Sequence, residues 1–468
     1  MDDTLIDRPA TALRDLVARR QVSARELVSA ALARVDQVNG PLNAVVTLNP
    51  AALDEADRVD AALARGATPG ALCGLPVGIK DVTPVAGLRL TYGSLVHADH
   101  VATRDAVVVS RLRAAGAVIV GKTNTPEFGA GGNTFNEIFG RTRNPWDTTR
   151  TAGGSTGGGA AALASGMIAL AEGTDLGGSL RIPASFCGVV GLRPSVGLVP
   201  TVPSDWVHDT LNVTGPMART AGDVALMLQA IAGASAGAPF GSRVADRDFP
   251  AAVNVGLPPG TRVLYASDPA GIGVDAAIDR MCRDAAVGLD GAGAVVEEAA
   301  LDLAFARPAF LTLRGLWFVN HMRGRLEHLD RFGPNVAGNI RAGLATTPEQ
   351  IAEAEQARSR LWGLCADWFT RVDLIVTPTV AVPPFPVEEN YAGVVAGQTM
   401  PTYIDWLAPT FVWSLTGLPV ASVPVGLGAD GLPVGMQIIG PPHGEESVLA
   451  LAAEFERRHP IGRPPVLD

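Results

Sequence analysis

Cysteine is scarce. The four cysteines (Cys73, Cys187, Cys282 and Cys365) lie far apart in 468 residues and form no C-x-x-C pair. A disulfide framework and a thiolate zinc site are therefore excluded as organising principles. The seven histidines offer no H-x-H or H-x-x-x-H spacing. His97 and His100, three apart, read as a solvated loop pair and not as metal ligands. Lys and Arg total 37 against 47 Asp and Glu, a net charge of −10, with no basic cluster. Neither nucleic acid nor an anionic membrane is an expected partner. The longest uncharged run, Trp406 to Ala429, carries Pro409, Pro419 and Pro424, which suits buried strands and turns better than a membrane span. The start, MDDTLIDRPATALRDLVARR, leads with acids and has no apolar core of a secretory signal. A cytoplasmic location is expected.

What is present is a core-rich globular composition: 47% hydrophobic, 18% charged, and 53 Gly with 35 Pro in no periodic arrangement. Residues 10–36 read as two amphipathic helices, the second capped by Ser23. Another helix is expected over 50–65, and residues 75–80 form a short apolar strand ending in Lys80. A helix over 105–116 and a buried strand over 117–121 follow. Residues 261–299 read as strand–helix–strand and 302–370 as a helical layer. Strands are expected at 373–378, 420–425 and 435–440, with a closing helix over 445–457. This alternation predicts an α/β fold, a mixed, mostly parallel sheet flanked by helices. No repeat or long linker divides the chain. It is expected to form one domain, with its core in about 70–235 and 370–468 and a helical insertion over about 300–370.

Two glycine-rich stretches, TAGGSTGGGA (151–160) and GTDLGGSLR (173–181), and the strand-end Lys80 stand out. The first stretch admits several readings. A phosphate loop would need a basic partner, and none lies between Arg150 and Arg181. A nucleophile elbow, Gly153-x-Ser155-x-Gly157, would make Ser155 the nucleophile of an esterase, with His321, His328 or His443 as its base. A plain helix start would make Ser155 an N-cap. Lys80 by itself reads as an exposed strand-end lysine.

Residues 153–195 (GGSTGGGAAALASGMIALAEGTDLGGSLRIPASFCGVVGLRPS) resemble the signature of the amidase signature family. So do GLPVGIKD at 74–81, GKTNTPEFGAGGNTFNEIFGRTRNPWD at 121–147 and TGLPVASVPVGLGADGLPVGMQIIG at 416–440. The resemblance runs nearly end to end. It implies an α/β/α fold and a Ser–cis-Ser–Lys triad: Ser179 as nucleophile, Ser155 as the bridging serine in a cis peptide, and Lys80 as base. It further implies an oxyanion hole from the backbone N–H groups of Leu176, Gly177, Gly178 and Ser179, and an acyl-side pocket lined by the backbone near Gly129. The chain departs from the family's usual second serine, having Thr156, whose hydroxyl is expected to support the site equally well.

Elementary chemistry is compatible with those roles. Amide cleavage needs a nucleophile, a proton carrier and donors aimed at a developing oxyanion, each donor worth about 3–4 kcal/mol. Lys80 can serve as a base only if burial lowers its pKa from about 10.4 to around 7–8. The small-residue lining is expected to offer no opposing carboxylate, and Asp81 is expected to face away. Asp175 is expected to brace the oxyanion turn and Arg181 to pair nearby. Trp206, Phe135, Tyr403 and Trp413 are candidate pocket aromatics.

The reading is a hydrolase without metal or other cofactor, cleaving small-molecule amides and, by the same tetrahedral chemistry, aryl esters and carbamates (urethanes), possible as a homodimer. The alternatives are the glutamine-hydrolysing amidase subunit of a tRNA amidotransferase, and the Ser155–His esterase.

Overall fold

A computed structural model describes residues 5–242 and 244–465. Eleven strands form one sheet: β1 (Val45–Leu48), β2 (Pro76–Lys80), β3 (Val118–Thr123), β4 (Leu170–Asp175), β5 (Val190–Arg193), β6 (Val213–Ala218), β7 (Arg262–Tyr265), β8 (Val295–Glu298), β9 (Leu374–Pro378), β10 (Val420–Leu427) and β11 (Pro433–Ile439). Their order is β1-β3-β2-β4-β6-β5-β10-β11-β9-β7-β8. Parallel pairing holds β3-β2-β4 together on one side and β9-β7-β8 on the other. The β/α alternation read from the sequence falls in these two blocks. Antiparallel ladders join them through β6, β5, β10 and β11; of these pairs β5–β6 and β10–β11 are consecutive in the chain and need no crossover helix.

Side-chain alternation feeds two cores, one on each face. Leu374 and Val376 enter one cluster and Ile375 the other, and Val263 and Tyr265 likewise oppose Leu264. The first cluster is completed by helices that include Ala10–Ala18, Ala24–Leu42, Ala221–Ile231 and Glu445–Arg458. The second is completed by Ala306–Met322, Pro348–Trp368 and Ala408–Ser414. Ser23 caps its helix through a full capping box with Glu26, as expected. Among the described residues no helix is long and apolar enough to cross a membrane, and all four cysteines are buried and free.

The glycine-rich stretch holds more regular structure than its composition signals. Strand β4 lies between β2 and β6, and the helix Gly157–Ala164 is buried along its entire length. Its glycines are dictated by proximity. A Cβ at Gly158 would lie 2.3 Å from Asn124 N and 2.6 Å from Ala44 O, both backbone atoms. Gly158→Ala is therefore expected to lower stability by about 1–3 kcal/mol, the usual cost of overpacking, read as a fall in denaturation midpoint.

Candidate active site

Strands β2 and β4 are parallel neighbours, Ile79 opposite Glu172, so both end at the same edge of the sheet. Lys80 is the last residue of β2. Ser179 stands in the turn between β4 and the helix Arg181–Cys187. Ser155 immediately precedes Thr156, the cap of the helix Gly157–Ala164, and the Gly154–Ser155 peptide is cis. The cap position falls on Thr156, and the Ser155 hydroxyl is engaged by Lys80, so the plain N-cap reading of Ser155 fails.

Lys80 is fully buried, not exposed as a strand-end lysine would be. Its Nζ lies 2.6 Å from Ser155 Oγ and 3.1 Å from Thr174 Oγ1. Burial pushes the amine down to about 7, against the opposing pull of Glu172 and Asp175. The expectation of no nearby carboxylate is therefore wrong. Glu172 is buried beside Lys80 and accepts from its backbone N–H at 3.2 Å and from Thr83 Oγ1 at 2.8 Å. Sequence reading missed it because a glutamate inside an apolar strand carries no motif. Asp81 faces away, bonded to Thr91 and 3.4 Å from Lys122 Nζ. Lys122, also fully buried, donates to Thr83 O at 2.5 Å. Lys80 and Lys122 are the only lysines in the chain.

The turn carrying Ser179 is held from behind. Asp175 accepts from the N–H groups of Gly178 (2.8 Å) and Leu180 (3.1 Å) and from Arg181 Nε (3.0 Å) and Nη2 (2.9 Å). Arg193 lies 3.5 Å from the same carboxylate. Burial alone would raise Asp175, but the two guanidinium groups hold it well below the usual carboxylate range. Arg181 also donates to Thr410 O, Gln437 Oε1 and Ser414 Oγ. Asp175 and Arg181 thus hold this turn together.

One oxyanion donor is corrected: the Gly178 N–H is committed to Asp175. Among the described residues nothing accepts from the N–H groups of Leu176, Gly177 and Ser179. Gly178 has φ 121°, and a Cβ there would lie 2.2 Å from Thr410 Oγ1, so only glycine fits. Thr156 is corrected too. Among the described residues its hydroxyl has no hydrogen-bond partner, and it is the backbone N–H that reaches Ser179 O, at 3.2 Å.

A cavity of about 340 Å³ opens over these groups, lined by Ser155, Ser179, Thr174, Leu176 and Gly129. A Cβ on Gly129 would lie 3.3 Å from Ser155 Oγ. None of the four candidate aromatics lines it. Trp413 is buried in the core, Tyr403 is bonded to Arg314, Phe135 lies under Arg141, and Trp206 lines a separate recess. The cavity aromatics are Tyr92, Phe128, Trp317 and Phe318. Two of them come from the helix Ala306–Met322, whose amphipathic pattern reads as ordinary core packing. Of the histidines proposed as a base, His321 lines the cavity and His328 and His443 do not. His97 and His100 stand with ring centroids 5.9 Å apart. Partial burial and the Arg325 guanidinium push His97 down to about 4. Among the described residues no cluster of His, Cys, Asp or Glu could hold a metal.

A buried lysine and two serines thus stand at one edge of a mixed α/β sheet, beside a single cavity. The chain belongs to the amidase family, whose profile matches residues 26–449. It is 35% identical to an acylamidase of Rhodococcus erythropolis, over 96% of this chain and 95% of that one. It is 36% identical to a glutamyl-tRNA(Gln) amidotransferase subunit of Moorella thermoacetica, over 96% of each. The crystal structure of a bacterial aryl acylamidase of the amidase signature family superposes with a TM-score of 0.90 at 29% identity, over 96% of each chain. The chain is thus an amidase signature hydrolase acting on amides.

Because the chain has two lysines only, NMR of 13Cε-labelled lysine should give two resonances. The Lys80 resonance, assigned with Lys80→Met, is expected to titrate near 7. A midpoint near 10 would show that the amine is solvated. Asp175→Asn would leave two buried guanidinium groups without their carboxylate and is expected to cost about 3–5 kcal/mol in chemical denaturation.

Proposed function

We propose that the chain hydrolyses linear amides through an acyl-enzyme on Ser179, with Ser155 and Lys80 as the proton relay. The observation that carries this reading is the 2.6 Å contact between Ser155 Oγ and a buried amine lowered to about 7, beside the cavity that Ser155 and Ser179 both line. Near neutrality about half of such an amine is unprotonated and able to accept a proton.

Ser179 Oγ attacks the substrate carbonyl carbon. Its proton passes to Ser155 Oγ, and the Ser155 proton passes to Lys80 Nζ. The oxyanion is met by the N–H groups of Leu176, Gly177 and Ser179, each worth about 3–4 kcal/mol in such a role. Collapse breaks the C–N bond, and the Lys80 ammonium returns a proton through Ser155 to the departing nitrogen. Water then attacks the Ser179 ester, losing its proton along the same route, and the acid leaves. Thr174 Oγ1 accepts from Lys80 and orients the amine's lone pair towards Ser155.

The aromatic lining suits amides with an aryl or bulky apolar group, in keeping with the acylamidase relatives. Aryl esters and carbamates share the tetrahedral step and are secondary substrates of this site. The amidotransferase reading is carried by relatives of similar identity. It calls for a pocket that recognises both the ammonium and the carboxylate of a free amino acid, whereas among the described residues the one carboxylate lining the cavity, Asp205, is paired with Arg325. Of the bases offered for the Ser155–His reading His321 alone lines the cavity, but that ring stacks on Trp317 at 3.9 Å with Nδ1 3.1 Å from Trp317 O, while Ser155 is engaged by Lys80.

A fluorophosphonate probe is expected to label Ser179 and no other serine. Ser179→Ala should lower kcat by roughly 10⁴–10⁶-fold and Ser155→Ala by about 10²–10⁴-fold. The reverse order, with Ser179→Ala mild, would return the esterase reading. In a panel of aryl amides, esters and carbamates, kcat/KM should rise with pH through about 7, because only the neutral amine accepts a proton and the ammonium form below that pH cannot. Co-purification of partner chains with glutamine-dependent activity would instead favour the amidotransferase.

A further inference from the structure

Arg314 sits on the helix Ala306–Met322 and is 5% exposed. Its Nε donates to Asn339 Oδ1 at 3.0 Å and its Nη2 to Tyr403 Oη at 2.9 Å. Both partners are neutral. The guanidinium lies among the rings of Phe318, Tyr403 and Phe310, at 5.1, 5.7 and 6.0 Å. Among the described residues no carboxylate forms an ion pair with it, and nothing accepts from Nη1. A buried cation without a counter-charge is costly unless something supplies one. Arg314 also lines the cavity that contains Ser155 and Ser179.

The charge of the cavity points the same way. Its charged lining is Arg104, Arg314, Arg325 and Asp205, and Asp205 is taken by Arg325 at 3.6 Å. Arg104 is exposed and has no partner among the described residues. A chain of net charge −10 thus presents a positive cavity, which concentrates anions.

We infer that Arg314 binds a carboxylate of the substrate, so that the preferred amides carry an acid group close to the scissile bond. This rests on the amide-hydrolase reading above. The spacing follows from the helix. Phe310, one turn before Arg314, packs against Gly177 of the oxyanion turn, where an added Cβ would lie 2.9 Å from its ring. One turn advances about 5.4 Å, so the acid group lies a few bonds from the carbonyl under attack. Guanidinium and carboxylate match as a charge-assisted pair, and the neighbouring rings exclude water from it.

Two matched pairs of probes test this. N-phenylsuccinamate against N-phenylbutanamide places the carboxylate on the acyl side. 4-Acetamidobenzoate against 4-acetamidotoluene places it on the leaving side. In the wild-type enzyme kcat/KM is expected to favour the acid by at least about tenfold in one pair, the lower end for a hydrogen bond to a charged group. That ratio should fall towards one in Arg314→Gln and be partly kept in Arg314→Lys. Calorimetry with Ser179→Ala, alone and combined with Arg314→Gln, reads binding without turnover and should show the same preference and its loss. Acids that are neither bound nor turned over better than their neutral congeners in both pairs would overturn the inference, a result that needs no Arg314 variant to fold. Acids bound through Arg314 but no amide hydrolysed would leave the inference standing and remove the amidase reading.

Discussion

Lys80 has its side chain sealed at the end of β2, and its amine meets two hydroxyl oxygens and, among the described residues, no side-chain carboxylate within ion-pairing distance. At an unperturbed pKa of about 10.4, roughly one amine in 2,500 is neutral at pH 7. Burial brings that to about half, against the pull of Glu172 and Asp175. Burial prevails because each carboxylate is already engaged. Asp175 is saturated by Arg181, Arg193 and two backbone N–H groups. Glu172 is bonded to Thr83 and to the Lys80 backbone, with Lys122 nearby. The proposed chemistry needs this arrangement, since a carboxylate directly on Nζ would keep it protonated.

The same carboxylate that is withheld from Lys80 shapes the turn at Ser179. Asp175 pulls in the N–H groups of Gly178 and Leu180, which leaves those of Leu176, Gly177 and Ser179 without protein acceptors among the described residues. Arg181 ties this turn to Thr410, Ser414 and Gln437, and Gln437 in turn donates to Pro409 O. Strand β11 and the helix Ala408–Ser414 therefore hold a turn more than 220 residues earlier in the chain. Buried ion clusters of this kind add geometric definition more than net stability. Here the definition is the direction in which three amides point.

Much of this was legible in the residues. The helices with apolar faces and clear caps, such as that begun by Ser23, announce themselves through periodicity. The glycine-rich turns and Lys80 are recognisable by motif. Less legible were β4, β5 and β6, which lie in a stretch whose Gly, Ala and Ser content masks strand patterning. Buried polar residues were also hidden. Glu172 and Lys122 occupy strand positions where only a neighbouring strand explains a charge. The oxyanion donors were legible as a segment but not one by one, because which N–H is free depends on where the Asp175 carboxylate points. Thr156 shows the same limit: its backbone, and not its hydroxyl, contacts Ser179.

The cavity wall is the part that sequence reading placed in the wrong residues, and the cause is physical. Aromatics near the signature in sequence, such as Phe135 and Trp206, were natural candidates. The wall is instead built by a helix more than 120 residues beyond Ser179, and its lining positions Arg314, Trp317, Phe318 and His321 recur at the spacing of any buried helix face. An arginine on such a face is usually read as a chain end reaching solvent. Only the fold shows that this one is covered, has no ion-paired carboxylate among the described residues, and lines the cavity beside Ser155 and Ser179. The signature segments bring Lys80, Ser155 and Ser179 to one cavity edge, while this helix supplies part of the wall beside them; in the proposed reaction that wall would set which amides fit. Selectivity can then change by substitution on one helix without disturbing the Lys80, Asp175 and Ser179 framework.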